Sequence, residues 1–146
     1  MRILAVDPGE KRLGIAISDP TGTIANPLVV IKHVSRLLDA AAVAQLAVDQ
    51  EAGLIVIGQA LDDEGEATLQ SRRAVRFAEA LRKQTALPIA LWDESGSTQT
   101  ARSALIAMGV SRRRRSGHLD HLAATVILQT YLDAHGPQTG SENLEL

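Results

Sequence analysis

The feature that most constrains the fold is an apolar run that stops dead at a carboxylate. Ile3, Leu4, Ala5 and Val6 make a continuous segment of strand length that ends at Asp7, and Leu13, Ile15 and Ile17 then alternate with period two. Two such runs separated by Asp7-Pro8-Gly9-Glu10-Lys11-Arg12 read as a β-hairpin. Pro8 presets φ at the second position of a turn, and Gly9 is expected to supply the positive φ that a type II turn needs next. A charge at the last residue of a central strand is expensive unless a cation or strong donors meet it. Asp7 is therefore either a turn-starting residue or a metal ligand beside a phosphate-binding loop carrying Lys11 and Arg12, and this stretch alone leaves both readings open.

The pattern continues along the chain. Asp19-Pro20-Thr21-Gly22 has type I turn preferences, and Pro27-Leu28-Val29-Val30-Ile31 reads as the third strand of an antiparallel meander, with the proline at the edge of the run. Ser35 can cap a first helix in which Leu38, Ala42 and Leu46 form the apolar stripe and Gly53 is the stop. Leu54-Ile55-Val56-Ile57 is wholly apolar, as in a strand buried on both faces of a parallel sheet, and is expected at the centre. Ala74, Phe77, Ala78 and Leu81 mark a second helix over residues 66–84, which also carries Arg72, Arg73, Arg76 and Arg82. Pro88-Ile89-Ala90-Leu91-Trp92 is a fifth strand that again ends in carboxylates, Asp93 and Glu94. A helix with Ala101, Ala104, Leu105 and Met108 follows. The last helix is expected over residues 119–134, and between the two lies a loop bearing Arg112, Arg113, Arg114 and Arg115. The polar tail from 136 to 146 has no periodicity and is expected to be disordered, leaving one domain over 1–135.

Composition narrows the chemistry. A chain of 146 residues with 45% hydrophobic residues suffices for one domain with a real core. Its apolar runs are too short for a signal peptide or a membrane span, so the expected location is the cytoplasm. Zero cysteines exclude disulfides, thiolate metal sites and cysteine nucleophiles, so a metal must be held by oxygen or histidine ligands, which suits Mg²⁺ or Mn²⁺. The net charge of -2 gives no global attraction to nucleic acid, yet clustered arginines allow a local basic face. Phe77, Trp92 and Tyr131 are the only aromatics, too few for successive base stacking.

Three antiparallel strands, then helix, strand, helix, strand and helices, describe an α/β domain: a mixed five-stranded sheet with helices on both faces. Right-handed crossovers place the fourth strand beside the first and the fifth beside the fourth. Asp7 and the Asp93-Glu94 pair then share one rim, roughly 10 Å apart between backbones, where open sheets bind ligands. Asp120, in the expected first turn of the last helix, is either a helix-start residue favoured by the dipole or a third carboxylate. Ala123 and Ala124 would let that helix approach the strand ends closely. His118 and His121 flank Asp120 and read first as surface or packing residues.

The stretch 6–19, the Asp93-Glu94 pair and Leu119-Asp120-His121-Leu122-Ala123-Ala124-Thr125-Val126-Ile127-Leu128-Gln129 together resemble the YqgF family, also called RuvX. The resemblance implies a ribonuclease H-like fold and a Holliday junction resolvase-like protein regarded as a nuclease for the 5′ end of pre-16S ribosomal RNA. It also implies an acidic triad that binds divalent metal, carried here by Asp7, Glu94 and Asp120. Two departures stand beside that site. Ser95, Gly96, Ser97 and Thr98 follow Glu94 where the family usually continues with arginine, and Gly58-Gln59-Ala60 replaces its usual Gly-Leu-Pro.

The expected activity is hydrolysis of phosphodiesters, with two cations about 3.5–4 Å apart held by the triad, Asp7 bridging them. Lys11, Arg12 and the run Arg112 to Arg115 are expected on substrate phosphates, and Gly9 and Gly14 are expected to allow close backbone approach. Structured RNA, within pre-ribosomal particles, is favoured over branched DNA, because a resolvase needs a two-fold dimer and the helices show no spare apolar face, which favours a monomer. Two rivals remain: a catalytically inactive nucleic-acid- or ribosome-binding module, suggested by the missing arginine, and an actin-like ATPase, disfavoured because that architecture needs a second copy of the domain.

Overall fold

The structure is a computed structural model that describes residues 1–61, 64–93 and 112–136, with the backbone alone for 112–121. Five strands, β1 (Arg2–Pro8), β2 (Arg12–Ser18), β3 (Ala25–Lys32), β4 (Ala52–Gln59) and β5 (Ile89–Asp93), form one sheet in the order β3-β2-β1-β4-β5. The β1-β2 and β2-β3 pairs are antiparallel, while β1-β4 and β4-β5 are parallel, as the element order requires. Thus β1, not β4, is the middle strand, and β4 lies one place out with Ile55, Val56 and Ile57 wholly buried.

Alternation along the strands divides the core in two. Leu4, Val6, Leu13, Ile15, Ile17, Ile55 and Ile57 face helices α1 (Arg36–Asp49) and α2 (Leu69–Arg82). Ile3, Ala5, Ala16 and Val56 face helix α3 (Arg112–His135) through Ala124, Ile127, Leu128, Tyr131 and Leu132. The α2 stripe is the expected one, with Ala74, Phe77, Ala78 and Leu81 all buried. Its N-cap, however, is Thr68, whose hydroxyl accepts from Ser71 N while the Ser71 hydroxyl accepts from Thr68 N. This reciprocal cap satisfies two otherwise unpaired donors and starts the helix later than residue 66.

Helix α1 departs from its expected phase. Ser35 does cap it, accepting from Leu38 N at 3.1 Å. Yet Ala40, Val43, Ala44 and Ala47 are buried, whereas Leu38 is 57% exposed and Ala42 is also exposed. The turn preceding the helix accounts for the rotation. Asp39, only 4% exposed, accepts from His33 Nδ1 and from Val34 N at 3.1 Å, which pulls its face inward and turns Leu38 out. The helix also ends earlier than Gly53: Gln50 is the C-cap and Glu51 takes the left-handed conformation (φ 55°). Gly53 lies within β4 rather than at the helix end, with the flexible Met1 side chain over it.

The hairpin tip is three residues, Gly9 to Lys11, with Gly9 N donating to Arg12 O at 3.0 Å. Gly9 does not have the positive φ of a type II turn. Glycine is needed there because a Cβ would sit 2.4 Å from the Arg12 carbonyl oxygen. β3 begins two residues before Pro27, which is tolerated because β3 is an edge strand and its register with β2 shifts between Ile15 and Ala16. The helix expected around residues 101–108 and the tail beyond 136 lie outside the described residues.

The turn after β2 closes on Asp19. Its carboxylate accepts from Ile24 N (2.9 Å), the Thr21 hydroxyl, Thr23 N (2.8 Å) and Thr21 N (3.3 Å), while Gly22 N donates to its carbonyl at 3.0 Å. These donors, the Ile24 amide foremost, hold the Asp19 carboxyl far below the ordinary carboxylate value. Its stabilising effect is therefore complete above pH ~4 and is lost as acid drives the pH below that value. Asp19→Asn is expected to lower stability at pH 7 by about 1 kcal/mol. The gap to the parent should narrow in thermal melts taken below pH ~4. A gap that stays constant with pH would contradict this account.

Candidate active site

Asp7 is the penultimate residue of β1, partly buried, and by the alternation of β1 it shares the face of Ile3 and Ala5, the one covered by α3. Its antiparallel partner is Gly14. Directly paired residues point to the same face, and Gly14 sets no side chain opposite Asp7 on β2. The parallel register Val6, Ile57, Leu91 runs across three strands, which sets Asp7 level with Gly58 and Trp92 at the carboxyl ends of β1, β4 and β5. Asp93 stands on the opposite face, that of Ile89 and Leu91, and its Oδ1 accepts from Leu61 N at 3.5 Å. It is thus directed away from Asp7. Glu94 lies outside the described residues.

The last helix is longer than the sequence pattern implied. It starts at Arg112, so Arg112, Arg113, Arg114 and Arg115 occupy its first turn rather than a loop, and four consecutive arginines conceal a helix start because they carry no apolar period. Asp120 is therefore more than two turns into the helix, where the N-terminal dipole has faded. What remains is register. Asp120 lies four residues before Ala124 in the same helix, and Ala123 and Ala124 are buried as a close helix-to-sheet approach requires. Lys11 and Arg12 are exposed at the hairpin tip.

Helix α3 is tied to both edges of the sheet. Gln129 accepts from Ala25 N (2.9 Å) and donates to Thr23 O (3.1 Å) beside β3, and Trp92 Nε1 at the end of β5 donates to Thr130 Oγ1 at 3.0 Å. The Trp92 ring also meets Tyr131 edge-on, with centroids 5.3 Å apart, and Tyr131 stacks on His135 at 4.0 Å. Burial pushes the Tyr131 hydroxyl pKa up. These interactions are not foreseeable from the sequence, since a lone glutamine and a lone tryptophan carry no periodic signal. The His33–Asp39 pair is hidden in the same way, because an aspartate in a first helical turn reads as a surface residue.

The order of strands, the carboxylate at the end of the middle strand and the closing helix define a ribonuclease H-like domain of the resolvase type. Among solved structures, the chain is similar to Thermus thermophilus RuvC in complex with a Holliday junction substrate (TM-score 0.56, 16% identity, 94% of this chain and 99% of that one). It is also similar to the fowlpox virus resolvase in its complex with Holliday junction DNA (TM-score 0.58, 12% identity, 92% and 99%). At such identities the likeness concerns the fold. The family model described as RuvX, Holliday junction resolvase, matches residues 1–134, and the chain belongs to that family. Curated relatives include a Thermoanaerobacter pseudethanolicus protein, 40% identical over 135 residues (92% of this chain, 97% of the relative). A Syntrophus aciditrophicus protein is 40% identical over 134 residues (92% and 89%). Both are named "Putative pre-16S rRNA nuclease".

The docking of α3 has an optical reporter in Trp92, the only tryptophan. Thr130→Val keeps the β-branched shape and removes the acceptor of the indole N–H. It is expected to shift the emission maximum and to cost about 1 kcal/mol in urea unfolding. Unchanged emission and midpoint would show that this bond does not anchor the helix.

Proposed function

We propose that this chain is a metal-dependent nuclease that hydrolyses phosphodiester bonds in structured RNA, with the 5′ end of pre-16S ribosomal RNA in pre-ribosomal particles as its substrate. The observation that carries the reading is the position of Asp7, a carboxylate at the end of the middle strand, opposite Gly14 and on the sheet face covered by α3, the helix that carries Asp120. Family membership and relatives at 40% identity over nearly the whole chain support it. Asp7, Glu94 and Asp120 are the proposed ligands. An all-carboxylate donor set in a cysteine-free chain fits a hard cation, Mg²⁺ or Mn²⁺. Bound there, such an ion would supply an activated water and charge stabilisation for the leaving oxygen. The chain's own part is to hold the carboxylates in place through β1 and the anchored α3, and to present Lys11 and Arg12 to substrate phosphates from the exposed tip. The first-turn arginines 112–115 add sequence-independent attraction to the backbone. Among the described residues no helix is long and apolar enough to cross a membrane, and we place the protein in the cytoplasm.

A second reading has its own observation. Val34, Leu37, Leu38 and Val48 are exposed on and beside α1, so the argument for a monomer from the lack of a spare apolar face does not hold. A dimer cutting a four-way DNA junction is the alternative, and the family description points the same way. A cleavage assay with labelled pre-16S RNA and a four-way junction, with Mn²⁺ and with EDTA, decides between them. Preferential cutting of RNA is expected, and paired symmetric incision of the junction would overturn the choice. The inactive-module reading predicts binding in EDTA and no cutting of either.

Asp7→Asn is expected to abolish cleavage, and it is expected to raise metal-free thermal stability if like charges crowd the site. Retained cleavage would remove Asp7 from the chemistry. Replacing Arg112 to Arg115 by serine is expected to weaken RNA binding across sequences and to flatten the plot of log affinity against log salt by roughly 0.7–0.9 for each phosphate no longer neutralised. A slope equal to the parent's would free the run from that role.

A further inference from the structure

A cavity of about 390 Å³ lies under the hairpin tip, on the face of the sheet opposite Asp7. Three elements build it. Pro8 and Leu13 come from the hairpin, His33 and Arg36 from the entry to α1, and Arg73 and Phe77 from successive turns of α2. Pro8, Leu13 and Phe77 are buried and supply an apolar floor. His33 is fixed twice: its backbone N–H donates to Lys11 O at 2.9 Å, and its ring Nδ1 is bonded to the buried carboxylate of Asp39. That second bond leaves Nε2 as the ring nitrogen open to a ligand, the arrangement by which a carboxylate orients a functional imidazole. Arg73 has Glu10 Oε1 at 3.8 Å, but Glu10 is 81% exposed and the pair is long. So loose a surface pair holds Arg73 weakly and yields to a better anion.

Two guanidinium groups over an apolar floor, beside an oriented imidazole whose open Nε2 can accept from a hydroxyl, suit an anion attached to something flat and partly apolar. The volume falls in the range of small-molecule sites, and a bare phosphate fills only a fraction of it. We propose that this cavity binds a nucleoside phosphate, with Arg36 and Arg73 on the phosphate, His33 Nε2 accepting from a sugar hydroxyl, and Pro8, Leu13 and Phe77 beneath the sugar or base. The nucleotide is either free or the phosphorylated terminus of a substrate strand, and only the second source rests on the nuclease reading. Pro8 directly follows Asp7 in β1, so a strand end held in the cavity would lie just across the sheet rim from the carboxylate.

The test is a titration of ¹⁵N-labelled full-length protein with adenosine monophosphate in EDTA, followed by short RNAs with and without terminal phosphates. Adenosine monophosphate is expected to shift the amides of Gly9, Leu13, His33 and Arg36. The double variant Arg36→Ala/Arg73→Ala is expected to weaken binding at least about tenfold, with partial retention when lysine replaces both. Both arginines reach solvent, so the fold should survive, and amide spectra will show whether it does. Asp39→Asn, which unties His33, should weaken binding by a smaller factor. Tenfold preference for terminally phosphorylated RNA assigns the strand end, and equal binding of the two RNAs alongside bound mononucleotide assigns the free nucleotide. Absence of shifts at the cavity, or a folded double variant that binds like the parent, overturns the proposal. Because binding is read without metal, a protein that binds nucleotide and cuts nothing loses the nuclease reading and keeps the cavity. One that cuts RNA with no shifts here does the reverse.

Discussion

Everything in this molecule hangs on β1, a strand hydrogen-bonded along both edges and buried on both faces. Ile3, Leu4, Ala5 and Val6 have no solvent exposure, and their backbone is paired with β2 on one side and β4 on the other. Removing the three larger side chains from water contributes roughly 1.5–3 kcal/mol each. Full pairing of the strand avoids the cost of orphaned amides in such a place. A strand held this firmly can carry a carboxylate at its end without being displaced by it. The rigidity and the awkward charge thus belong together: the first makes the second tolerable.

Much of this is legible in the sequence because period and turn chemistry are local. The hairpin, the apolar β4, the α2 stripe and the strand order all follow from residue spacing and crossover handedness, and the structure has them all. Where spacing misleads, a specific contact has overruled the preference of the residue type. Leu38 looks like core on spacing alone, but the buried Asp39, joined to His33 across the β3-α1 turn, sets the rotation of α1 and gives the core position to small alanines. Gly53 looks like a helix stop, yet it lies inside β4, after a helix that ends at Gln50. Gly9 looks like a positive-φ residue, and its constraint is a carbonyl oxygen across the tip.

The candidate residues can be named from the sequence, but the groups that support them cannot. Asp7 stands out because a strand should not end on a charge without reason. The expected placement of Asp120 leans on a helix start that the arginine run masks, and the better argument for it is register with Ala124 and Ile127. The groups that hold α3 over the sheet, Gln129 at one edge and Trp92 with Thr130 at the other, act through a few hydrogen bonds between distant segments. No window of sequence contains such a pairing.

The hairpin joins the two faces of the sheet in a way that bears on how a substrate would be read. Successive residues of a strand point to opposite faces, so Asp7 looks toward α3 while Pro8 forms part of the wall shared with α1 and α2. The same tip carries Lys11, whose carbonyl receives the His33 amide and so couples the tip to the entry of α1. A displacement of the tip would therefore move Pro8 and the His33 end of the cavity together, with Asp7 one residue away on a strand that cannot slide. An anion in the cavity would steady the tip against that fixed strand. Under the proposed reading, positioning of this kind would act by narrowing the geometries available to a phosphate at the rim, an effect of orientation.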